Sequence, residues 1–428
     1  MRVAVYGPSR HRNKDRCAAR TLTQPPRADD AHRAMAAPSA DRAAPGRLFT
    51  PAFVGLGIAE LAYFTAAGLL IPLTPLFAAG PLGADEVGVG LTVGAFSVTA
   101  LLLRPIAGRA ADRRGRRPLL IGGALLCAAA IAAHALATDL VVLIGLRLVL
   151  GVAEAFFFVA GFAMVADLAP PGRAGEALSY NSLALYLGIA VGPAVGELLL
   201  GAGGFNLAWA GGAALSVVAG AIALALNEST EPVDDPGPMV LLHPRAILPS
   251  LGLFTGIAGM AGFFAFVTLY AMRLGMDGSA GVLLLFGAIV VGTRVLFARL
   301  PDRVPPFRLA AGALLLSFIG LGIVGVVPTA AGLYVGAAIA ALGVAFTTPA
   351  FFAAIVQRVP ASERGAALGT TSIFLDLAFG GGPMVLGIVA GGFGIPVAFG
   401  VAAVIALTGA AGTGYAALLE RRVAPSAV

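Results

Sequence analysis

Long apolar stretches alternate with short polar ones from Leu48 to Leu418. Most of the apolar stretches have at least the roughly 20 residues that a helix needs to cross the hydrocarbon core of a bilayer. They are Leu48–Ala79, Val87–Ile106, Pro118–Leu136, Leu140–Leu168, Gly175–Leu200, Leu207–Ala225, Ala246–Met272, Gly281–Phe297, Phe307–Val327, Ala330–Val356, Ala366–Ala390 and Ile395–Leu418. The pattern therefore predicts an all-α membrane protein with about twelve transmembrane helices.

One polar interruption, "NESTEPVDDPGP", divides the twelve segments into two groups of six. The predicted regions are a disordered basic tail at 1–47, an N-terminal six-helix bundle at 48–227, a linker at 228–245, a C-terminal six-helix bundle at 246–419 and a short tail at 420–428. The first tail is polar and rich in Ala and Pro, which is typical of disorder. Met35 is an alternative start within that tail.

The composition agrees with a chain surrounded by lipid. Of 428 residues, 58% are hydrophobic and 12% are charged, whereas soluble domains have about 25% charged residues. A pI near 9.8 raises the question of nucleic acid, but a nucleic-acid binder gathers its basic residues on one water-exposed surface. Here the arginines alternate with spanning segments, so the sequence predicts a lipid bilayer as the partner and no nucleic acid.

Catalytic and metal-binding patterns are missing from the sequence. Two cysteines, Cys17 and Cys127, and four scattered histidines form no disulfide framework and no metal-ligand spacing. There is no HExxH and no Gly-x-Ser-x-Gly. We therefore predict no metal, no cofactor and no catalytic residue, which disfavours an enzyme.

Basic residues are concentrated in alternate loops. One set of alternate loops carries the arginines. The other set contains a single basic residue, Arg273, and consists of "LGADE", "TD", "GAGGFN", "RLGMDGS", "PT" and "GGFG". The positive-inside rule predicts that the arginine-rich loops and both termini are cytoplasmic and that the protein lies in the cell membrane. Cysteines placed at Asp85 and Gly278 should then label from outside, and one at Arg114 should not.

The second group of segments repeats features of the first at an offset of 190 residues. "RPIAGRAADRRGRRPLLIGGALL" starts at Arg104, and "RVLFARLPDRVPPFRLAAGALLL" starts at Arg294. The same offset relates Gly192-Pro193 to Gly382-Pro383. Two parallel six-helix pseudo-repeats place a substrate site between the halves, near the middle of the bilayer.

The arginine-rich loop after the second segment resembles the signature of the major facilitator superfamily, Gly-x-x-x-Asp-Arg-x-Gly-Arg-Arg. The matching residues are Gly108, Asp112, Arg113, Gly115, Arg116 and Arg117. The resemblance covers Leu48 to Leu418 and implies the fold of that family, in which this loop is a gate. Asp112 would help to lock the halves when the cytoplasmic side is closed; the alternative is a solvated local ion pair.

The fifth segment contains "LGIAVGPAVGELL", which is similar to a motif associated with the proton-antiporter, drug-efflux branch of the family. Its matching residues are Gly188, Gly192, Pro193 and Gly196. The family often has a second glycine where this chain has Glu197, which weakens the assignment to the branch but not to the family.

Charged residues inside the spanning segments are candidates for proton coupling. A charge at the bilayer centre costs at least about 2.5–3.5 kcal/mol, so it normally faces protein or water. Glu154 is the first candidate, followed by Asp376 and Glu60. Arg147 lies two helical turns before Glu154, and a static buried pair of these two is the alternative hypothesis.

Two further arginines, Arg104 and Arg294, lie near the predicted cytoplasmic ends of their segments. We expect their side chains to extend toward the membrane surface. Phenylalanines in the fourth, seventh and tenth segments suit a cavity for an amphipathic organic substrate.

These patterns predict a secondary transporter that works by alternating access, most simply a monomer that exports small organic compounds against a proton gradient. A proton symporter that imports a sugar or another metabolite remains an alternative. A non-transporting membrane receptor or enzyme is a further alternative, which the gate signature disfavours.

Overall fold

The computed structural model describes residues 47–170, 173–229, 242–297, 300–360 and 363–423. Residues 1–46, most of the predicted linker and residues 424–428 lie outside these ranges. The described chain is helical, with α1 Pro51–Ala79, α2 Glu86–Arg114, α3 Arg116–Ala133, α4 Leu140–Leu168, α5 Ala174–Ala225, α6 Pro244–Arg273, α7 Ala280–Leu296, α8 Leu300–Arg303, α9 Pro306–Val326, α10 Ala330–Arg358, α11 Arg364–Phe393 and α12 Ile395–Val423. Ten helices are long and apolar enough to cross a membrane, and α7 is a shorter apolar helix.

The fifth and sixth predicted segments both belong to α5, and a break in the helix separates them. Gly203 and Gly204, inside the predicted loop "GAGGFN", have non-helical backbone angles. Gly204 has φ +72°, a left-handed conformation that glycine adopts without steric cost. Two glycines therefore turn the chain where the sequence predicts a loop.

The gate motif is mostly helical rather than a loop. Helix α2 runs to Arg114, eight residues beyond the predicted end at Ile106. Its last turns, "AGRAADRR", are rich in good helix formers, and the membrane surface itself does not end a helix. Only Gly115, with φ +90°, separates α2 from α3. Asp112 thus lies within α2, which corrects the prediction that it follows the helix.

The predicted C-terminal tail and the predicted linker are also shorter than expected. Helix α12 continues to Val423, so residues 420–423 are helical. Helix α6 begins at Pro244, inside the predicted linker.

The helices pack in two groups. Helices α1 to α5 pack on one another, with α1 on α5, α2 on α4, and α3 on both α4 and α5. Helices α6 to α12 form the second group, with α9 on α10 and α12, and α6 on α11 and α12. Contacts of α2 with α11, α5 with α7, and α1 with α6 join the two groups.

The glycines of the fifth-segment motif let α5 approach the backbone of α1. A Cβ atom on Gly192 would lie 2.5 Å from the Thr65 carbonyl oxygen and 2.6 Å from the Leu69 nitrogen. One on Gly188 would lie 2.8 Å from the Thr65 nitrogen. Real Cβ atoms do not approach so closely, so this motif is required for packing between α1 and α5.

We call the end of the helix groups that carries Arg113 and Arg114 the basic end. The other end, which carries Asp85 and Asp277, is called the opposite end. Asp85 accepts a hydrogen bond from Gly88 N at 2.8 Å, so it caps α2. A Cβ on Gly278 would collide with the Glu197 carboxylate. Cysteines at these two predicted labelling sites would therefore disturb the structure.

Topology can be tested with neighbouring exposed residues instead. In a Cys17→Ser background, we expect Pro81→Cys and Asp277→Cys to react with a membrane-impermeant thiol reagent in intact cells, because the positive-inside rule places these loops outside. Arg114→Cys should react only after the cells are opened. Labelling of Arg114→Cys in intact cells would reverse the assigned orientation.

Candidate functional site between the two helix groups

At the opposite end, charged residues join the two groups. Arg273 of α6 donates to Glu86 of α2 at 2.5 Å. Glu197 of α5 accepts from Ser279 N at 2.8 Å, from Ser279 Oγ at 2.7 Å and from Ala280 N at 2.9 Å. Glu197 therefore caps the N-terminus of α7 from the other group, where an anion is favourable.

Further along the helices, away from the opposite end, small residues let the two groups pack closely. In α2, Gly90 and Gly94 pack against backbone carbonyls of α11, those of Pro383 and Gly380. Gly287 of α7 packs against the Cα and Cβ atoms of Ala190 in α5. Helix backbones can approach this closely only where side chains are absent.

The innermost contact is a cluster of three charged side chains. Arg104 of α2 donates to both carboxylate oxygens of Asp376 in α11, with Nη2 at 2.8 Å from Oδ1 and Nε bonded to Oδ2. Its Nη2 also donates to Glu154 Oε1 of α4 at 3.2 Å. The side chain of Asp376 is 3% exposed and that of Arg104 is 10% exposed. One arginine thus links carboxylates from both helix groups.

The cluster corrects two expectations. Arg104 does not extend to the membrane surface, because the carboxylates of buried Asp376 and half-buried Glu154 hold it inside, and the Phe158 ring lies 4.5 Å from its guanidinium. Arg147 does not pair with Glu154. Its Nε and Nη2 donate at 3.2 Å to backbone carbonyls of α2, those of Thr92 and Val93.

The hydrogen-bonded cluster has one cation for two carboxylates. Glu154 Oε2 is buried and has no hydrogen-bond partner. Arg147 attracts Glu154 electrostatically, while its hydrogen bonds go to the backbone carbonyls of α2. A buried carboxylate without enough hydrogen bonds costs free energy unless it takes up a proton. Glu154 is therefore the less well compensated carboxylate of the cluster while Arg104 is bound to Asp376.

Glu60 lies in a separate site within the first group. Asn181 Nδ2 donates to Glu60 Oε2 at 2.5 Å, and both residues are buried. Oε1 has no partner and faces Gly161 of α4. The structure therefore brings Glu154 and Asp376 together and leaves Glu60 and Arg147 apart from them.

Contacts between the groups recur at the sequence offset of 190. Three contacts of α2 with α11 each have a counterpart between α7 and α5. Gly90 on Gly387 corresponds to Ala280 on Glu197, Ser97 on Gly380 corresponds to Gly287 on Ala190, and Arg104 on Asp376 corresponds to Arg294 on Tyr186. In each pair, the α7 residue lies 190 positions after the α2 residue, and the α5 residue lies 190 positions before the α11 residue. The two interfaces are therefore built alike, from the opposite end down to the level of Arg104 and Arg294.

At the basic end, the gate motif is held within the first group. Arg116 contacts Asp112 at 2.6 Å and Asp167 of α4 at 3.3 Å. Gly108 has open space around it: a Cβ there would meet no described atom within 4 Å. Arg113 and Arg114 are exposed.

The two ends of the linker are each fastened to their own helix group. Glu228 accepts from Arg116 N at 2.8 Å and from Arg117 N at 3.1 Å, and Gly115 leaves room for its carboxylate. On the other side, His243 N donates to Thr370 Oγ1 of α11 at 2.7 Å.

A prediction for the gate follows from these contacts. Asp112→Asn weakens a partly exposed ion pair, which contributes only about 0–1 kcal/mol to stability, so the amount of protein at the cell surface should stay near the wild-type level. If Asp112 also holds the halves together when the basic end closes, turnover should fall and a cysteine near Gly108 should become more reactive. Wild-type transport with unchanged labelling would reduce the motif to a determinant of orientation.

Sequence reasoning missed several partners at these sites. Arg104 could have been identified from the sequence, because it begins the repeated stretch at the position that Arg294 holds in the second copy. Asn181, Tyr186 and Glu228 had none, because a single polar residue in a helix or linker does not reveal its neighbour. Within the described ranges, no group of three or more His, Cys, Asp or Glu side chains could hold a metal ion.

Comparisons with known proteins agree with this arrangement. The family model of the Major Facilitator Superfamily matches residues 56–378. An uncharacterised MFS-type transporter of Salmonella typhimurium is 29% identical over 357 residues, which are 81% of this chain and 92% of that protein. A second one, from Burkholderia pseudomallei, is 32% identical over 369 residues, 81% of this chain and 88% of that protein.

Solved structures share the fold at low sequence identity. A bacterial homologue of the human lysosomal transporter Spinster, in an inward-facing and occupied conformation, has a TM-score of 0.75 at 16% identity and covers 87% of this chain and 98% of its own. The human organic anion transporter TETRAN has a TM-score of 0.67 at 18% identity and covers 85% and 98%.

Proposed function

The chain belongs to the Major Facilitator Superfamily, and from that premise we propose that it exports small organic compounds in exchange for protons, in the manner of the drug-efflux branch. Family membership gives the coarser class directly: a multi-pass membrane protein that is a secondary transporter and not an enzyme. The substrate is a small molecule. Proton coupling, export and monomeric action without a cofactor are the proposal.

We propose twelve crossings in two six-helix pseudo-repeats, with both termini in the cytoplasm. The break at Gly203 and Gly204 divides α5 into stretches of spanning length, and α7 adds a further crossing. The recurrence of contacts at an offset of 190 supports two equivalent halves. The basic end is then cytoplasmic, and the contacts of Glu86 and Glu197 close the outer side.

The observation that carries proton coupling is Arg104, which is shared by Glu154 of one half and Asp376 of the other. Closure of the outer side brings Asp376 onto Arg104. Opening of that side separates α2 from α11, so Asp376 loses its cation while Arg104 stays with Glu154. A buried carboxylate that loses its cation takes up a proton.

Alternating access follows from this exchange of partners. With the outer side open, a proton from outside neutralises the carboxylate that Arg104 has left. With the outer side closed, Arg104 replaces the proton, which can leave to the cytoplasm. A substrate that favours the outward-open state would be exported as protons enter, since each ligand shifts the equilibrium only by its differential affinity for the two states.

Proton movement measured together with substrate movement tests the proposal. A compound panel screened for uptake into inverted membrane vesicles identifies a substrate, which is then added to proteoliposomes containing a pH-sensitive dye. Exchange should raise the pH of the lumen as the compound enters, because protons leave. A fall in pH would indicate the symporter. Substrate movement with no change in pH would refute proton coupling.

A further inference from the structure

The inference concerns Arg294, the counterpart of Arg104 in the second half. Arg104 is neutralised by two carboxylates, whereas Arg294 contacts Tyr186, the residue 190 positions before Asp376. The first half thus has a phenol where the second half has a carboxylate. The two related arginines therefore differ in charge compensation.

The contacts of Arg294 leave its charge uncompensated. Its Nη2 donates to the Tyr186 hydroxyl at 2.8 Å, and its guanidinium lies 3.8 Å from the centre of the same ring. Its Nε is buried and has no partner. No carboxylate pairs with Arg294 within the described part of the chain. A cation in a membrane-spanning helix is costly unless an anion or water meets it.

The position of Arg294 suits a ligand. It lies at the inner end of the contacts between α5 and α7, at the same level as Arg104 on the other interface. Three residues after Arg294, directly beyond the end of α7, Phe297 packs edge to face against Phe346 of α10, with ring centres 6.3 Å apart. A cation beside an aromatic surface favours a molecule with one charged group and an apolar body.

We infer that Arg294 binds the anionic group of the transported compound, so that the substrates are amphipathic organic anions carrying a carboxylate or a phosphate. The planar guanidinium matches both groups in geometry. Tyr186 holds the guanidinium in place and leaves Nε for the ligand. This inference names the substrate class for the transporter proposed above and rests on that proposal.

Equilibrium binding tests the inference without any gradient. The full-length protein is placed in lipid nanodiscs, and binding is measured through thermal stabilisation. The probes are 2-naphthoate and 2-naphthyl phosphate as anions, 2-naphthamide as the neutral compound and 2-naphthylmethylamine as the cation. Phenyl and biphenyl sets repeat the comparison on smaller and larger bodies. The wild-type protein should prefer an anion to its neutral and cationic counterparts, and the preferred anion distinguishes carboxylate from phosphate.

Four variants then locate the anion. Arg294→Gln should weaken anion binding by about ten- to a hundredfold, and Arg294→Lys should retain most of the preference. Tyr186→Asp supplies the carboxylate found at the equivalent position, so it should compete with the anion. Arg358→Gln is the matched control, because Arg358 stacks on Phe307 at 3.9 Å inside one helix group. It should bind like the wild type.

Two results would overturn the inference. One is a wild-type protein with no preference for anions in any of the three sets. The other is a preference that survives both Arg294→Gln and Tyr186→Asp; the second variant retains the arginine and so remains informative if the first does not fold. Loss of proton coupling alone would leave anion binding unchanged, so failure of the proposed function can be told apart from failure of this inference.

Discussion

We expect Glu154→Gln to abolish transport driven by a pH gradient while the folded protein remains in the membrane. Glutamine keeps the shape of the side chain and can still accept the 3.2 Å hydrogen bond from Arg104. It carries no charge, so Arg104 has no second carboxylate to stay with when Asp376 moves away. Arg104 then follows Asp376, and no proton is taken up in its place. Exchange of labelled substrate without a gradient should persist, because exchange needs alternating access but no net proton movement.

The measurement is accumulation of substrate in inverted vesicles with and without an imposed pH gradient. Glu176→Gln is a matched control, because Glu176 forms an exposed ion pair with Arg173 at 2.7 Å, far from the cluster. It should accumulate substrate like the wild type. Uphill transport by Glu154→Gln at the wild-type rate would contradict the role of Glu154, and Asp376→Asn and Glu60→Gln would then be tested in the same assay.

Gly192→Leu should prevent formation of a stable protein. The added side chain would have to occupy space held by the α1 backbone, where the Thr65 carbonyl oxygen and the Leu69 nitrogen already lie within 2.6 Å of a Cβ position. Overpacking of a core typically costs about 1–3 kcal/mol, and more where backbone rather than side chains must move. Separation of α1 from α5 would also disturb Glu60 and Asn181, which link the same two helices.

Size-exclusion chromatography and thermal unfolding of the detergent-extracted protein measure this effect. Gly57→Leu is the control, because a Cβ at Gly57 in α1 would meet no described atom within 4 Å. Its elution profile and midpoint should stay near those of the wild type. Equal stability of the two variants would mean that α1 and α5 do not pack as described.

The spanning segments could be predicted from the sequence because bilayer thickness fixes the length of an apolar helix. Their ends could not, because a helix such as α2 continues into water as long as its residues favour helix. The break at Gly203 and Gly204 lies inside the short stretch "GAGGFN" that the sequence identifies as a loop, but only the backbone shows that two residues make the turn.

The candidate site was only partly predictable. The cost of a buried charge identifies Glu154, Asp376 and Glu60 from the sequence. Periodicity along one helix suggested Arg147 as the partner of Glu154, because it considers only residues on the same helix. The actual partner, Arg104, comes from a different helix and joins the two halves, and only packing in three dimensions reveals such a contact.

The fastening of the linker at both ends bears on how the polypeptide is organised. Glu228 completes the gate motif of the first half, and His243 is held by Thr370 of the second. Glu228 and His243 make these contacts on either side of residues 230–241. Because each half fixes its own end of the linker, we expect that two separately translated polypeptides divided within 230–241 reassemble into an active transporter.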